Sequence, residues 1–297
     1  MPDARRLTRR TVLTTVSAAA AALPFFSTAS FSAVGTAGRR LEVMTYNLRF
    51  ASTAEPNSWA ERRPAMRALL LQERPHVIGT QEGLHQQILD IETDLGPYYD
   101  WIGTGRAGGN RDEFMAIFYD TRRLAPVEHE HFWLSDTPEV AGSNTWGGDS
   151  IRMVTWVRFR DLGNGGRQFY VLNTHLDNAS QYARERAAEL IGRRIAGLDR
   201  SLPLIVTGDF NVAAHKNPVY DTMLCAGLVD TWDTAAERSR LYSTLHNYRP
   251  LVADGDRIDW ILATPGVTAN RSRINTFSLN GQFPSDHLPV QATLTLS

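Results

Sequence analysis

The chain has 297 residues, 42% of them hydrophobic and 21% charged, with one cysteine. This is the composition of a globular protein, and a single cysteine excludes an intramolecular disulfide and a thiolate zinc cluster. Residues 1–37 contain four arginines and one aspartate, so the rest of the chain carries 27 basic and 31 acidic residues. A net charge of about −4 lacks the basic footprint of a protein that coats long nucleic acid, but it leaves short or terminal phosphate substrates open.

The N-terminal residues form a pattern of their own. The arginine pairs at 5–6 and 9–10 precede an apolar, alanine-rich run from Val12 to Phe26, which is too short for a comfortable membrane span. Small residues suited to cleavage follow, as far as Ala37. We therefore predict a removable twin-arginine-type export signal at residues 1–37 and a secreted protein, with an uncleaved membrane anchor as the alternative. No linker or repeat follows, so residues 38–297 are predicted to form one domain.

Hydrophobic periodicity predicts the elements of the first half. Helices are expected from Trp59 to about Glu73, with Ser58 as the N-cap and Pro75 as the stop, and from Leu84 to Leu95. The predicted strands are Leu41–Asn47, His76–Gln81, Tyr98–Ile102, Phe114–Asp120, Leu124–Phe132, Arg152–Phe159 and Gln168–Thr174.

In the second half, a long helix is predicted from Ser180 to Gly197 and a short one from Pro218 to Cys225, with Cys225 as a buried packing residue. The predicted strands are Leu204–Thr207, Arg257–Ala263, Thr268–Ser278 and Pro289–Leu296. Strands occur in adjacent runs with helices between the halves. This order favours two packed, largely antiparallel sheets flanked by helices over a doubly wound parallel sheet.

Four segments place polar residues where a predicted strand ends or begins. They are Gln81-Glu82, Asn173–Asp177, Gly208–Asn211 and Ser285–His287. If they meet at one rim of a sheet sandwich, their carboxylates, amides and imidazoles suit a hard cation held against a phosphate.

The Gly208–Asn211 segment is the most informative of the four. After a glycine turn, Asp209 and Asn211 are expected on the same side of an extended segment, where a carboxylate and an amide can hold a water and a phosphate oxygen. The alternative is an Asx-type turn that caps the next loop.

Glu82 is a candidate ligand for Mg²⁺, which takes one or two carboxylates and keeps several waters. Asn47 ends the first predicted strand and could orient a water ligand beside it. The alternatives are a glutamate that merely opens a helix and an ordinary turn asparagine.

Two histidines, His175 and His287, lie inside these segments. Asp259 stands among apolar strand residues, where a carboxylate is costly to bury unless it is paired, and a histidine would satisfy it. Pairing with Arg257 or another arginine is the alternative. Asp286 could orient His287 only if a local turn brings these neighbours together, because adjacent strand residues point to opposite faces.

Two loops hold candidate substrate contacts. The glycine-rich loop at residues 103–113 offers Arg106 and backbone N–H groups to a phosphate, or is simply a turn. Trp146 could stack on a base or a sugar; packing is the alternative, and is favoured for Trp133.

Taken together, these segments resemble the endonuclease/exonuclease/phosphatase superfamily of DNase-I-like, metal-dependent phosphoesterases, from about Leu41 to the C-terminus. Within it, the chain looks most like a secreted bacterial branch related to the CCR4-type deadenylases. The matching segments, in the family's order, are Tyr46–Arg49, Ser58–Arg63, Gln81-Glu82, Gly105-Arg106, Asn173–Asp177, Gly208–Asn211, Ile258–Ile261 and Ser285–His287.

The resemblance implies a four-layer α/β sandwich, Mg²⁺ or Mn²⁺ as the cofactor, and a set of site residues. The implied metal ligands are Asn47, Glu82 and Asp286; the implied catalytic residues are His175, Asp209, Asn211, Asp259 and His287; the implied substrate contacts are Arg106, Trp146, Arg152 and Asn173. In this assignment Asp209 orients or deprotonates the attacking water, and the two histidines stabilise the charge that develops on phosphorus. Trp146-Gly147-Gly148-Asp149 replaces the more usual Gly-Trp-Asp-Ala, which weakens any transfer of substrate identity.

Three functions follow as hypotheses. The first is a secreted, Mg²⁺-dependent phosphodiesterase that acts on nucleic acids or nucleotides by in-line attack of water. The second uses the same residues on a phosphomonoester, an inositol phosphate or a phospholipid headgroup. The third is a non-catalytic protein that binds a phosphorylated ligand, against which a water-activating acid such as Asp209 argues. No protein partner, and no membrane span after signal removal, is expected.

Overall fold

The computed structural model describes residues 40–296, so the predicted export signal lies outside the described residues. The helices are α1 (Trp59–Glu73), α2 (His85–Leu95), α3 (Gln181–Ala196), α4 (Pro218–Cys225) and α5 (Thr231–Thr234). The strands are β1 (Arg40–Asn47), β2 (Val77–Gln81), β3 (Gly83–Leu84), β4 (Tyr99–Ile102), β5 (Glu113–Phe114), β6 (Ile117–Asp120), β7 (Leu124–Trp133), β8 (Met153–Asp161), β9 (Arg167–His175), β10 (Leu204–Asp209), β11 (Val229–Asp230), β12 (Glu237–Arg238), β13 (Asp259–Ala263), β14 (Val267–Ile274) and β15 (Val290–Leu296).

The strands form two large sheets and one small one. The seven-stranded sheet has the order β12-β14-β15-β1-β2-β6-β4, and the six-stranded sheet has the order β11-β13-β10-β9-β8-β7. Most neighbours are antiparallel, but β1 and β2 run parallel in the first sheet, as do the short edge strand β12 and its neighbour β14. In the second sheet β9 and β10 run parallel. Strands β3 and β5 make a separate two-stranded sheet.

Three apolar clusters define the layers. Val43 and Val77 of the first sheet pack against Val171 and Ile205 of the second, which places the central core between the sheets. The outer face of the seven-stranded sheet packs on α1 and α2, and the outer face of the six-stranded sheet packs on α3 and α4. Helices, sheet, sheet and helices thus form four layers, which confirms the predicted architecture.

The ends of α1 show how local sequence sets an element. Ser58 is extended, and its hydroxyl accepts a hydrogen bond from the backbone N–H of Glu61 at 3.3 Å, which satisfies one of the unpaired donors of the first turn. At the other end Arg74 takes the left-handed conformation, and Pro75 follows. Both bounds agree with the prediction.

Three local predictions were wrong. The strand expected at Phe114–Asp120 is interrupted, because Phe114 pairs with Gly83 whereas Ile117 pairs with Gly79. Cys225 is exposed rather than buried, since Val219, Tyr220 and Met223 form the inward face of α4 and Cys225 falls on the opposite side.

The third concerns Gly208, where no turn is formed. Strand β10 continues through Gly208 and ends at Asp209, while the change of direction comes at Asn211, whose φ is 54°.

Strand ends bring the polar segments to one edge of the sandwich. Asp209 stands opposite His175 of β9 on one side and opposite Asp259 of β13 on the other. Asn47 stands opposite Gln81 in the other sheet. Strands β13 and β15 begin at this edge, whereas β1, β2, β9 and β10 end there. In the described range, no helix is long and apolar enough to cross a membrane.

Candidate active site

The side chains between the sheets change from apolar to polar as the strands reach this edge. Along β10, Ile205 belongs to the core between the sheets, and Asp209 follows four residues later on the same face. Along β9, Val171 and His175 repeat the pattern. The alternation of the strands therefore aims the acid and the imidazole into the gap between the two sheets.

Asn47 links the two sheets at the centre of the site. Its side-chain Nδ2 donates to Oε1 of Glu82 at 2.8 Å and to Oδ2 of Asp209 at 2.9 Å. The second carboxylate oxygen of Glu82 accepts the backbone N–H of Phe50 at 3.2 Å. Two carboxylates carried by different sheets are thus held on either side of one amide.

Asn211 and His175 extend the site along the six-stranded sheet. The Nδ2 of Asn211 lies 2.9 Å from Nε2 of His175, and its backbone N–H donates to Oδ1 of Asp209 at 2.9 Å. Burial, and then the charge of Arg152, lowers the pKa of His175 well below its usual value. His175 is therefore neutral at pH 7 and can act as a hydrogen-bonding group without a charge.

Asp259, His287 and Asp209 form a second chain of contacts. The Nδ1 of His287 lies 3.0 Å from Oδ2 of Asp259, and its Nε2 lies 3.8 Å from Oδ2 of Asp209. Burial alone would lower the pKa of His287, but Asp259 and Asp209 raise it to about 10. Burial and the neighbouring Asp259 raise the pKa of Asp209 to about 7. The site thus holds a protonated imidazole beside an acid that ionises near neutrality.

Three residues of the site loops have positive φ, a conformation uncommon outside glycine. They are Arg49 (52°), Glu82 (62°) and Asn211 (54°), each one or two residues past the end of a strand. Backbone in this region costs free energy unless the surroundings hold it, and such strain concentrates at functional sites. The side-chain bonds of Glu82 and Asn211 described above supply part of that support.

Arg152 lies at the same edge, one residue before β8. Its side chain is buried, Nη2 donates to Oδ1 of Asn178 at 2.9 Å, and Nε lies 3.9 Å from Asp177. Its Nη1 has no hydrogen-bond partner among residues 40–296. A buried guanidinium with a free donor beside Asp209 and His175 is suited to an anion.

Two other predicted substrate contacts are placed differently. Asn173 is fully buried: its amide donates to the carbonyls of Thr80 and Ala116, and its Oδ1 accepts from Gln81 and Thr207. All four hydrogen-bonding positions of the amide are filled, so its geometry ties the sheets together and leaves nothing to offer a substrate.

Trp146 is only 6% exposed and packs in the core beneath α3, with the guanidinium of Arg186 5.6 Å from its ring. Arg106 does reach the region of the site, but it is paired with Asp112 at 2.9 Å and with Glu113 at 2.7 Å. Burial raises the pKa of Glu113 to about 7. Of the four predicted contacts, Arg152 is the buried guanidinium that has, among the described residues, an unbonded Nη1 and no carboxylate closer than the 3.9 Å of Asp177.

The side chains of Asp286 and His287 bond to different partners and not to each other. Asp286 pairs with Nη1 of Arg49 at 3.2 Å, whereas His287 turns to Asp259. The sequence alone assigns no role to Arg49, although it follows Asn47 by two residues. The feature of the sequence that could have indicated a role for Arg49 is a basic residue directly after a strand that ends in a polar residue.

The donor set can be tested against a metal. Carboxylate or imidazole atoms of Glu82, His175 and Asp209 all lie within 4.8 Å of one another. The amide of Asn47 lies between the two carboxylates, with Nδ2 bonded to both of them and Oδ1 bonded to the backbone N–H of Arg49. Carboxylate oxygens suit a hard divalent cation. Burial raises the pKa of Asp209, and the positive charge of a bound cation would offset that effect by favouring the ionised carboxylate. The residues therefore fit a divalent metal.

The chain resembles solved structures over nearly its whole described length. A mannosyl-6-phosphatase from Bacteroides thetaiotaomicron VPI-5482 shares 33% identity over 86% of this chain and 100% of that one, with a TM-score of 0.80. An endonuclease/exonuclease/phosphatase family protein from the same species shares 34% identity, with 87% and 98% coverage and a TM-score of 0.81. The human Nocturnin catalytic domain with bound sulfate, at 18% identity, 87% and 95% coverage and a TM-score of 0.69, shares the fold.

No curated protein sequence matches the chain. The profile of the Endonuclease/Exonuclease/phosphatase family, however, matches residues 44–287, a span that runs from β1 to His287 and includes every contact of the site. The activities in that name all hydrolyse phosphoric esters. The chain therefore belongs to the endonuclease/exonuclease/phosphatase family and is a phosphoric ester hydrolase.

Proposed function

We propose that the protein is a Mg²⁺-dependent phosphomonoesterase that acts on a small phosphorylated molecule of the sugar-phosphate type. The observation that carries its hydrolytic part is the convergence of Glu82, His175 and Asp209, whose ligand atoms lie within 4.8 Å of one another. Asn47 ties two of these residues together, and His287 completes the set.

Three features support a monoester over the phosphodiester first expected. The mannosyl-6-phosphatase matches over its whole length at 33% identity. Arg152 offers a buried guanidinium with a free donor, which suits the doubly charged phosphate of a monoester. Trp146 and Asn173, which could have contacted a nucleic acid, are committed to packing and to joining the sheets.

In the proposed reaction, water attacks phosphorus in line with the ester oxygen that leaves. Asp209 accepts the proton from water, and the Nε2–H of His287, which lies 3.8 Å from Asp209, donates to the departing oxygen. Asp259 keeps His287 protonated and oriented. Arg152 donates its free Nη1 to the phosphate oxygens on which charge develops, and Asn211, whose amide is bonded to His175 and to the carbonyl of Leu176, holds His175 beside Asp209.

The metal would be held by Glu82 with Asn47; Asp286, which the resemblance implies as a further ligand, is paired with Arg49 in this structure. When bound, it supplies positive charge to the phosphate oxygens. Mn²⁺ is expected to substitute, because it accepts the same oxygen ligands.

A phosphodiester is the second candidate substrate, and the feature that favours it is the exposed side chain of Phe50. The residue is 46% exposed, and its backbone N–H is bonded to Glu82. An exposed aromatic ring held beside the metal ligand offers a stacking surface to a base.

The test is hydrolysis by the purified chain without residues 1–37, with Mg²⁺ or with EDTA. We expect Mg²⁺-dependent release of phosphate from p-nitrophenyl phosphate and mannose 6-phosphate, and at least about 100-fold loss in Asp209→Asn. Glu189→Gln, an exposed position on α3, is the control. Faster hydrolysis of bis-p-nitrophenyl phosphate or of single-stranded RNA would favour the diester, and phosphate binding without any turnover would favour a binding protein.

Export is a separate proposal, supported by the arginine pairs and the apolar run before Ala37. N-terminal sequencing of the protein recovered from culture medium tests it. An intact N-terminus on cell-associated protein would contradict it.

A further inference from the structure

The guanidinium of Arg62 is bonded entirely to backbone. Its side chain is fully buried in α1. Its five N–H donors reach five carbonyl oxygens, those of Asn57 (3.0 Å), Leu48 and Pro284 (both 2.8 Å), and Arg49 and Phe50 (both 3.1 Å). No carboxylate forms an ion pair with it in the described part of the chain.

These carbonyls belong to the two loops that bound the metal side of the site. Leu48, Arg49 and Phe50 follow Asn47 at the end of β1, and Pro284 precedes Ser285 and the Asp286-His287 pair. The two loops are more than 200 residues apart in the chain, yet one side chain bonds to both.

Further bonds follow the same path. Ser285 donates its hydroxyl to the carbonyl of Asn47 at 2.7 Å, and Arg49 pairs with Asp286. Phe50, whose carbonyl is bonded by Arg62, directs its own N–H to Glu82. Displacing the Arg62 bonds would therefore change the spacing of Asn47, Glu82 and Asp286.

From these contacts we propose that Arg62 is a positioning residue for the hydrolytic site, setting the distance between the loop after β1 and the loop before β15. The inference rests on the proposed function. Arg62 touches neither substrate nor reacting atoms. A lysine cannot replace it, because three donors on one nitrogen cannot reach the carbonyls that a planar fork of five donors reaches.

The matched control is Arg63, the next residue of the same helix. Arg63 pairs with Asp90 and Asp94 of α2, and its side chain is 33% exposed. It contacts neither loop. Arg63→Met therefore removes an arginine from α1 and weakens helix packing without altering the site.

The kinetic arm compares Arg62→Lys and Arg62→Gln with Arg63→Met, each below its melting temperature. We expect kcat to fall about 100-fold in the Arg62 variants, the scale of effect of a misplacement near 1 Å, while KM changes less than about threefold. The Mg²⁺ concentration for half-maximal rate should rise. Kinetics like those of Arg63→Met would overturn the proposal.

The second arm needs no activity. Hydrogen–deuterium exchange of the metal-free proteins should show faster exchange in residues 47–52 and 283–288 of the Arg62 variants, and wild-type exchange there in Arg63→Met. Unchanged exchange in either segment refutes the positioning role, as does global unfolding of both Arg62 variants at 10 °C. If the wild type hydrolyses no phosphoester, the proposed function fails and the exchange arm still decides the role of Arg62.

Discussion

Asp209 is the residue on which the contacts of the site converge. Its carboxylate accepts from Asn47 and from the backbone of Asn211, and lies 3.4 Å from His175 and 3.8 Å from His287. Burial of such a carboxylate disfavours its charged form, and Asp259 opposite it adds a second negative charge. The same burial makes each hydrogen bond to it stronger than it would be in water.

The pairing of Asp259 with His287 predicts a change in pH dependence. Because Asp259 raises the pKa of His287, Asp259→Asn should lower that pKa. The ring then loses its proton at a lower pH, so the loss of activity on the alkaline side should begin at a lower pH than in the wild type. We expect the alkaline limb of the kcat profile to move down by roughly two pH units. His287→Gln is the comparison and should lower kcat at every pH. An alkaline limb that stays in place in Asp259→Asn would exclude His287 as the proton donor.

His131 should contribute a pH-dependent term to stability. Burial, and then the charge of His129, lowers the pKa of His131 to about 4, and its Nδ1 lies 3.0 Å from the hydroxyl of Thr155. The unfolded chain takes up this proton near pH 6.5, whereas the folded chain does so near 4. Its contribution is thus present above pH 6.5 and is lost as the pH falls toward 4, by up to about 3 kcal/mol.

Urea unfolding of His131→Gln at pH 7 and pH 4 measures that loss. The free energy of unfolding should fall less between these pH values in the variant than in the wild type. His129→Gln, at an exposed position, should keep most of the loss. Equal falls in the wild type and in His131→Gln would contradict the assignment.

At the scale of elements, alternation was enough to orient single strands. Ile205 and Asp209, or Val171 and His175, share a face whatever the partner strands are, so the sequence could place an acid and an imidazole on one surface. Register could not be inferred. That Asp209 stands opposite Asp259 depends on a pairing between segments fifty residues apart.

The sequence also could not show how far each side chain lies from the edge of the sandwich. Asn173 and His175 share a face of β9, but Asn173 lies two residues deeper and its amide joins the sheets. Trp146 is the other case: an aromatic residue in a loop can face a ligand or fold back onto the core, and here it folds back. The residue type is the same whether the side chain faces a ligand or the core, so only the packing in the structure distinguishes the two arrangements.

The close approach of the two sheets depends on Gly79 of β2. A Cβ at this position would lie 2.1 Å from Oγ1 of Thr207 and 2.7 Å from Oδ1 of Asn173, both held in the network between the sheets. Gly79→Ala should therefore separate the sheets or break that network, at a cost of about 1–3 kcal/mol, and lower kcat as well.

The control for Gly79→Ala is Gly192→Ala in α3, where the added carbon would be 3.4 Å from Ala226. It should be neutral or stabilising, because alanine favours a helix. Thermal unfolding of both variants measures the difference. A wild-type melting temperature for Gly79→Ala would mean that the sheets are not as closely packed as described.

At the scale of the molecule, the sandwich separates packing from chemistry. Apolar residues fill the space between the sheets, and the polar ends of strands from both sheets close one edge of it. Neither sheet holds the site alone: Asn47 and Glu82 come from one, and His175, Asp209 and Asp259 from the other. Relative movement of the sheets would therefore disassemble the site, which gives Gly79 and Asn173 their importance.

Among the described residues, one group that could hold a metal lies away from the site, on the six-stranded side, and is formed by His215, Asp230 and Asp233. Arg257 donates to Asp230 at 2.7 Å, so an arginine already occupies the position a cation would take. We therefore propose that the metal binds at the edge between the sheets.

The most direct test is a crystal structure of the protein grown with Mn²⁺, with anomalous scattering used to locate the ion. We expect a strong peak within bonding distance of a carboxylate oxygen of Glu82, between the two sheets, and no such peak in Glu82→Gln. A peak confined to His215, Asp230 and Asp233, or a Glu82→Gln crystal that keeps the ion between the sheets, would contradict this assignment of the metal.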